Sequence, residues 1–114
     1  MLAWLELPLW MPRWSDAWGR GALDEVRRIV TQYRGHRAVV AWTCGCELGA
    51  AVPHEFRQSL VQTVQGLTGC PLVKDTSGGA EMYGADLREY GTFADFHPYC
   101  DTQWYLPVLE SLRP

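Results

Sequence analysis

The sequence predicts an α/β protein with a parallel sheet. Short apolar segments rich in β-branched and aromatic residues alternate with segments whose apolar residues recur at helical spacing. The clearest strand covers residues 39–42, which include no polar residue, as is typical of a strand buried on both faces. Strands that alternate with amphipathic helices form parallel βαβ units with right-handed crossovers.

The first helix is expected between a strand-like start of the chain and the strand at residues 39–42. Ser15 or Asp16 is placed to cap it, and Gly35 is placed to end it. Residues 22–33 are its best segment, because their apolar residues recur at spacings of three, four and seven. These residues are Leu23, Val26, Ile29, Val30 and Tyr33.

A second helix is expected from Pro53 to about Leu67, since proline favours the first turn of a helix. Its predicted buried face carries Phe56, Leu60, Val64 and Leu67. Gly69 and Pro71 end it before the next strand. A long glycine-rich loop is expected at residues 77–91, and a short final helix at residues 108–112.

Length and composition restrict the possible partners. The 114 residues correspond to one ordinary domain, and 47% of them are hydrophobic, so a core can form. The net charge of -3 does not indicate a polyanion as partner, so no nucleic acid is expected. No run of residues approaches the ~18 apolar residues of a membrane helix, and no signal-peptide pattern is present. Six tryptophans suit a carbohydrate site, although core packing explains most tryptophans in proteins.

Residues 33–48 carry the most specific motif. They read Y-R-G-H-R-A-V-V-A-W-T-C-G-C-E-L. This segment resembles the fourth-strand signature of family 2 and related clan A glycoside hydrolases, in which R-N-H-P-S leads into a strand reading roughly V-x-x-W-S-x-G-N-E. The resemblance implies that Glu47 is the general acid/base. Arg37 replaces the usual proline, and Cys46 replaces an asparagine that hydrogen-bonds the 2-hydroxyl of the sugar.

Three further segments are similar to neighbouring strands of the same enzymes: residues 2–10 to the third strand, residues 72–77 to the fifth, and residues 93–99, with their H-x-Y ending, to the sixth. The resemblance therefore implies the central part of a (β/α)8 barrel, strands three to six. Such a barrel needs about 250 residues. Residues 1–114 are accordingly expected to be a partial catalytic domain that is inactive alone, with the remaining strands and the nucleophile outside them.

The resemblance also implies a carbohydrate substrate and a set of contacts to it. Retaining glycosidases hold two carboxyl groups ~5–5.5 Å apart, and the acid/base first protonates the leaving oxygen and then deprotonates a water molecule. His97 and Tyr99 face the same side of an extended strand, since they are two residues apart. The residues expected at the substrate are Glu6, Trp42, Cys46, His97 and Tyr99.

Two functional classes remain open from the sequence. One is a retaining glycoside hydrolase that cleaves a β-linked galactoside, mannoside or glucuronide. The other is a non-catalytic carbohydrate-binding relative, which the Cys46 replacement and the absent nucleophile favour. No cofactor is expected. The spacing of Cys44, Cys46, Cys70, Cys100 and His97 is poor for a zinc site. Cys44 and Cys46 with His97 as a base are a second alternative, a thiol nucleophile, and free thiols are the default interpretation.

Overall fold

The protein is described by a computed structural model over residues 1–10, 13–48, 51–76, 91–93 and 110. In these residues three parallel strands alternate with two helices, and the order of the strands in the sheet follows the order of the chain. The chain therefore forms a compact α/β domain with a parallel sheet. The elements are β1 (Ala3–Glu6), α1 (Asp16–Tyr33), β2 (Val39–Thr43), α2 (His54–Thr68) and β3 (Val73–Lys74).

The predicted assignment to a (β/α)8 barrel is wrong. The described residues form a three-stranded parallel sheet with two helices, and nothing in them marks this sheet as part of a barrel. The alternating pattern predicts parallel βαβ units, which open sheets and closed barrels share, so it does not specify closure. Of residues 93–99, the expected sixth strand, only Phe93 lies within the described residues. The loop expected at residues 77–91 and the final helix expected at residues 108–112 lie mostly outside them.

Helix α1 begins at its predicted cap. The side chain of Ser15 accepts a hydrogen bond from the backbone N–H of Trp18, and Asp16 places a carboxylate in the first turn, where the helix dipole favours it. The helix starts six residues before the segment with the clearest periodicity. Gly19 lies in this early part and is buried, because the ring of Trp14 occupies the space that a side chain would need.

Helix α2 matches its prediction closely. Pro53 precedes it without a side-chain cap, and Gly69 ends it in the left-handed conformation, with φ of 65°. The backbone N–H of Gly69 donates to the carbonyl of Gln65, which is a common helix ending. Its buried face includes Phe56, Leu60 and Val64 as expected, and also Arg57, which is a charged side chain in a predicted apolar environment.

The two helices pack against each other and against one face of the sheet. The core lies between the helices and this face. Trp42 on the central strand is 1% exposed and belongs to this core. Among the described residues, no helix is both long enough and apolar enough to cross a bilayer. The buried residues of this core cluster are Leu7, Leu9, Ala22, Val26, Val30, Trp42, Cys44, Leu48, Val52, Phe56, Leu60, Val61, Val64 and Val73.

Candidate functional site

The carboxyl ends of the three strands meet at one edge of the sheet, as parallel pairing requires. Glu6 ends β1 opposite Thr43 of β2, and Thr43 lies opposite Lys74 of β3. After β2 the chain continues along this edge, where the backbone N–H of Cys44 donates to the carbonyl of Lys74 at 2.8 Å. Open parallel sheets place ligands at this edge, so it is the candidate site.

Glu47 occupies an unfavourable backbone conformation at this edge. Its φ is 48°, and it is the one non-glycine residue with a positive φ in the part of the chain that the structure describes. The left-handed conformation costs a residue with a Cβ atom roughly 1–2 kcal/mol. Such strain persists only where the surrounding structure enforces it, and it is concentrated at functional sites. The side chain of Glu47 is half-buried.

Arg57 fixes the loop that follows Glu47. Its guanidinium is buried and donates to two carbonyl groups that follow Glu47, to Leu48 from Nη2 at 3.1 Å and to Val52 from Nε at 3.0 Å. Nη1 donates to Oδ2 of Asp75 at 3.3 Å, and both side chains of this ion pair are 2% exposed. One cation on α2 therefore connects the backbone that follows Glu47, here called the Glu47 loop, to the residue that follows β3.

Two further hydrogen bonds hold the same loop. The backbone N–H of Leu48 donates to Oγ1 of Thr76 at 2.9 Å, and the backbone N–H of Cys46 donates to the carbonyl of Leu9 at 2.9 Å. Between them Gly45 is packed so closely that a Cβ atom there would lie 2.8 Å from the carbonyl oxygen of Leu9. The residues directly before and after Glu47 are thus held by hydrogen bonds to the segments that follow β1 and β3.

The buried ionisable groups near the site have structural roles. Burial raises the pKa of Asp75 to about 6, although the positive charges of Arg57 and Lys74 act in the opposite direction. Burial also raises the pKa of the Cys44 thiol far above its ordinary range, with a smaller effect from the Asp75 charge. A thiol that stays protonated is a poor nucleophile, so Cys44 does not suit the catalytic thiol that the sequence left open.

The structure brings Glu6, Cys46 and Glu47 to the same edge of the sheet, and their predicted roles there stay predictions. Trp42 instead lies in the core, where its described role is packing, so its contact with substrate stays a prediction. His97 and Tyr99 lie outside the described residues. Within the described residues, Cys44, Cys46 and Cys70 are free thiols, and no group of three metal-ligating side chains could hold a metal ion.

Sequence reasoning missed Arg57, Asp75 and Thr76. Arg57 follows the apolar Phe56 on a helix, and an arginine at such a position is ordinarily assigned to the surface, since charged residues are rarely buried unless paired. Asp75 and Thr76 come directly after the apolar start of the third strand. An acid and a hydroxyl at a predicted strand end were the signal available for them.

No family model, curated protein or solved structure matches this chain. The site holds a carboxylate, Glu47, between two hydrogen-bonded neighbours at the carboxyl edge of a parallel sheet, with a second and exposed carboxylate, Glu6, at the end of the neighbouring strand. Such a carboxylate can transfer protons to and from a bound substrate.

Proposed function

We propose that this chain takes part in the hydrolysis of β-linked O-glycosides by a retaining mechanism, with Glu47 as the general acid/base. The observation that carries the proposal is the enforced left-handed backbone at Glu47, on a loop held by the buried Arg57 and by Thr76. A carboxylate that transfers protons must be held in a fixed position, and a loop supported in this way does so. The W-T-C-G-C-E motif supports the glycosidic substrate class.

The mechanism requires two carboxyl groups. Glu47 gives its proton to the glycosidic oxygen as the bond from that oxygen to the anomeric carbon breaks, while a carboxylate nucleophile forms a bond to the same carbon. In the second step Glu47 removes a proton from water, whose oxygen displaces the nucleophile. We assign the nucleophile to a residue outside 1–114, and we assign to Glu6 the binding of substrate hydroxyl groups.

A non-catalytic carbohydrate-binding protein is the second candidate, and Cys46 favours it. The resemblance places an asparagine amide at this position, where it binds the 2-hydroxyl of the sugar. A thiol is only a weak hydrogen-bond donor, so this contact would be weaker here. The half-buried position of Cys46 beside Glu47 is compatible with sugar binding without efficient hydrolysis.

The test uses Glu47→Gln in the protein that carries this chain, because glutamine keeps the size of the side chain but cannot donate the proton. We expect hydrolysis of methyl β-glycosides to fall by about 10²–10⁴-fold. A dinitrophenyl β-glycoside needs little protonation of its leaving group, so its first step should be partly spared and the second should become limiting. Added azide should then restore turnover and yield a glycosyl azide.

The matched control is Glu55→Gln, which removes an exposed carboxylate in the first turn of α2. Its rates should equal those of the wild type. Wild-type rates for Glu47→Gln on both substrate types would rule out Glu47 as the acid/base. Binding of β-glycosides by the wild type without any hydrolysis would favour the second candidate.

A further inference from the structure

The face of the sheet that is turned away from the helices carries a separate set of side chains. Side chains alternate between the two faces along a strand. Leu5 of β1 and Leu7, which directly follows β1, pack toward the helical core. Trp4 and Glu6 therefore lie on the other face. The strand register aligns Glu6 with Thr43 and Thr43 with Lys74. Of these three polar residues only Glu6 is exposed, whereas Thr43 and Lys74 are buried, so the accessible part of this face lies on β1, at Trp4 and Glu6.

Trp4 is held rigidly on this face. Its Nε1–H donates to Oγ1 of Thr43 at 2.7 Å, and its ring meets Phe93 edge to face, with the centroids 5.3 Å apart and an angle of 78° between the rings. The register pairs Trp4 with Ala41, whereas its hydrogen bond reaches two residues further along β2. The indole is therefore inclined toward the carboxyl edge, where Glu47 lies.

Despite these anchors, Trp4 is 51% exposed. Its only hydrogen-bond donor is already satisfied within the protein, so its accessible part is an apolar aromatic surface. Glu6 lies two residues along the same strand face and is exposed as well. A sugar ring has C–H groups on a face and hydroxyl groups around its edge. An aromatic surface can stack on that face, and a carboxylate beside it can accept hydrogen bonds from the hydroxyl groups.

We propose that Trp4 is a stacking platform for a β-linked pyranoside and that Glu6 accepts hydrogen bonds from hydroxyl groups of the same sugar. The substrate class rests on the proposed function, and the residues that bind it rest on the geometry of this face. Thr43 is a positioning residue, because its hydroxyl sets the angle of the indole. Stacked groups contribute beyond their buried area, so losing the ring should weaken binding by roughly tenfold.

The test is an NMR titration with methyl β-galactoside, methyl β-mannoside and methyl β-glucuronide, which have no aromatic group of their own. Trp4→Leu should bind the preferred sugar about tenfold more weakly, and Trp4→Phe should lie between Leu and the wild type. Thr43→Val keeps the shape of the side chain but removes the acceptor, so it should weaken binding while the indole Nε1–H resonance of Trp4 shifts. That resonance is identified by its absence in Trp4→Phe.

The control is Tyr33→Leu. Tyr33 is also an exposed aromatic residue, but it ends α1 near the amino-terminal start of β2, so its loss should leave affinity unchanged. Circular dichroism checks that each variant is folded. If Trp4→Leu does not fold, the affinity of Trp4→Phe tests the inference instead. Wild-type affinity in a folded variant without the indole would overturn the inference.

The titration also separates this inference from the proposed function, because binding does not require proton transfer. Glu47→Gln should bind the sugar while losing hydrolysis. Hydrolysis that depends on Glu47 with no effect of Trp4→Leu on affinity would refute the platform alone. Sugar binding that depends on Trp4, together with full activity of Glu47→Gln, would refute the catalytic proposal alone.

Discussion

Nη1 of Arg57 lies 3.3 Å from Oδ2 of Asp75, and this ion pair is buried on both sides. The same guanidinium binds the carbonyl groups of Leu48 and Val52. Burying two charges is costly, and a hydrophobic pair of similar volume is often as stable. The pair is therefore better explained by what it positions, the Glu47 loop on one side and the end of β3 on the other, than by its contribution to stability.

Replacing Arg57 with methionine should lower the free energy of unfolding by about 3 kcal/mol or more, because Asp75 is left buried without its counter-ion and two carbonyl groups lose their donors. Arg27→Met is the matched control. Arg27 pairs with Asp24 at 3.0 Å, but both side chains are more than half exposed, so its loss should cost less than about 1 kcal/mol. Urea unfolding measures both values, and equal effects would contradict the role given to Arg57.

The raised pKa of Asp75 predicts a specific pH dependence of stability. With a folded-state pKa of about 6 and an unfolded value near 4, the folded protein binds more protons than the unfolded chain between these two values. The free energy of unfolding should therefore fall by about 3 kcal/mol from this group as the pH rises from about 4 to above 6. Asp75→Asn lacks this contribution.

The measurement is the difference in unfolding free energy between the wild type and Asp75→Asn across this pH range, since the other carboxylates titrate in both proteins. The wild type should lose stability relative to the variant as the pH rises. A difference that stays constant, or that changes in the opposite direction, would show that the pKa of Asp75 is not raised.

The hydrogen bond from the Leu48 N–H to Thr76 can be tested without measuring catalysis. Thr76→Val keeps the shape but removes the acceptor of the Leu48 N–H, and a buried N–H without a partner costs about 1–3 kcal/mol. We expect faster hydrogen exchange at the Leu48 amide and lower stability. Thr76→Ser retains the hydroxyl and should keep most of the protection. Equal exchange in both variants would mean that this hydrogen bond does not hold the loop.

Two glycines provide a matched pair for the packing at the site. Gly45→Ala would bring a Cβ atom to 2.8 Å from the carbonyl oxygen of Leu9, which is backbone and cannot easily move, so we expect a loss of about 1–3 kcal/mol. Gly66 lies in α2 with nothing within 4 Å of the corresponding position. Gly66→Ala should therefore raise stability by about 0.5–1 kcal/mol. Thermal melting distinguishes a decrease from an increase.

The sequence predicted the elements better than their arrangement. The strand at residues 39–42 and the second helix were found near their expected bounds, because β-branched runs and helical spacing are local signals. Helix α1 begins earlier than its periodicity indicated, since Gly19 and Gly21 are poor helix formers and the packing of Trp14 on Gly19 compensates at the first of them.

The barrel assignment and the role of Arg57 could not be predicted, because both depend on contacts between residues that are distant in the sequence. The closure of a sheet into a barrel follows from how βαβ units combine, and each unit has the same pattern in an open sheet and in a closed one. Arg57 was missed because its partners, Leu48 and Asp75, are separated from it by nine and eighteen positions. The location of Glu47 could be predicted, because an acid directly after a buried strand lies at the carboxyl edge whatever the rest of the fold.

The last prediction concerns the backbone of Glu47. At φ of 48° glycine has no steric penalty, so Glu47→Gly should raise the free energy of unfolding by about 1 kcal/mol relative to Glu47→Gln, which keeps the Cβ atom. Both variants should lose hydrolysis. Stability would then increase when the proposed acid/base is removed, as expected for a residue held in a strained conformation for its chemistry. Chemical denaturation of the two variants decides: equal stability, or a less stable glycine variant, would mean that the left-handed conformation stores no strain at this residue.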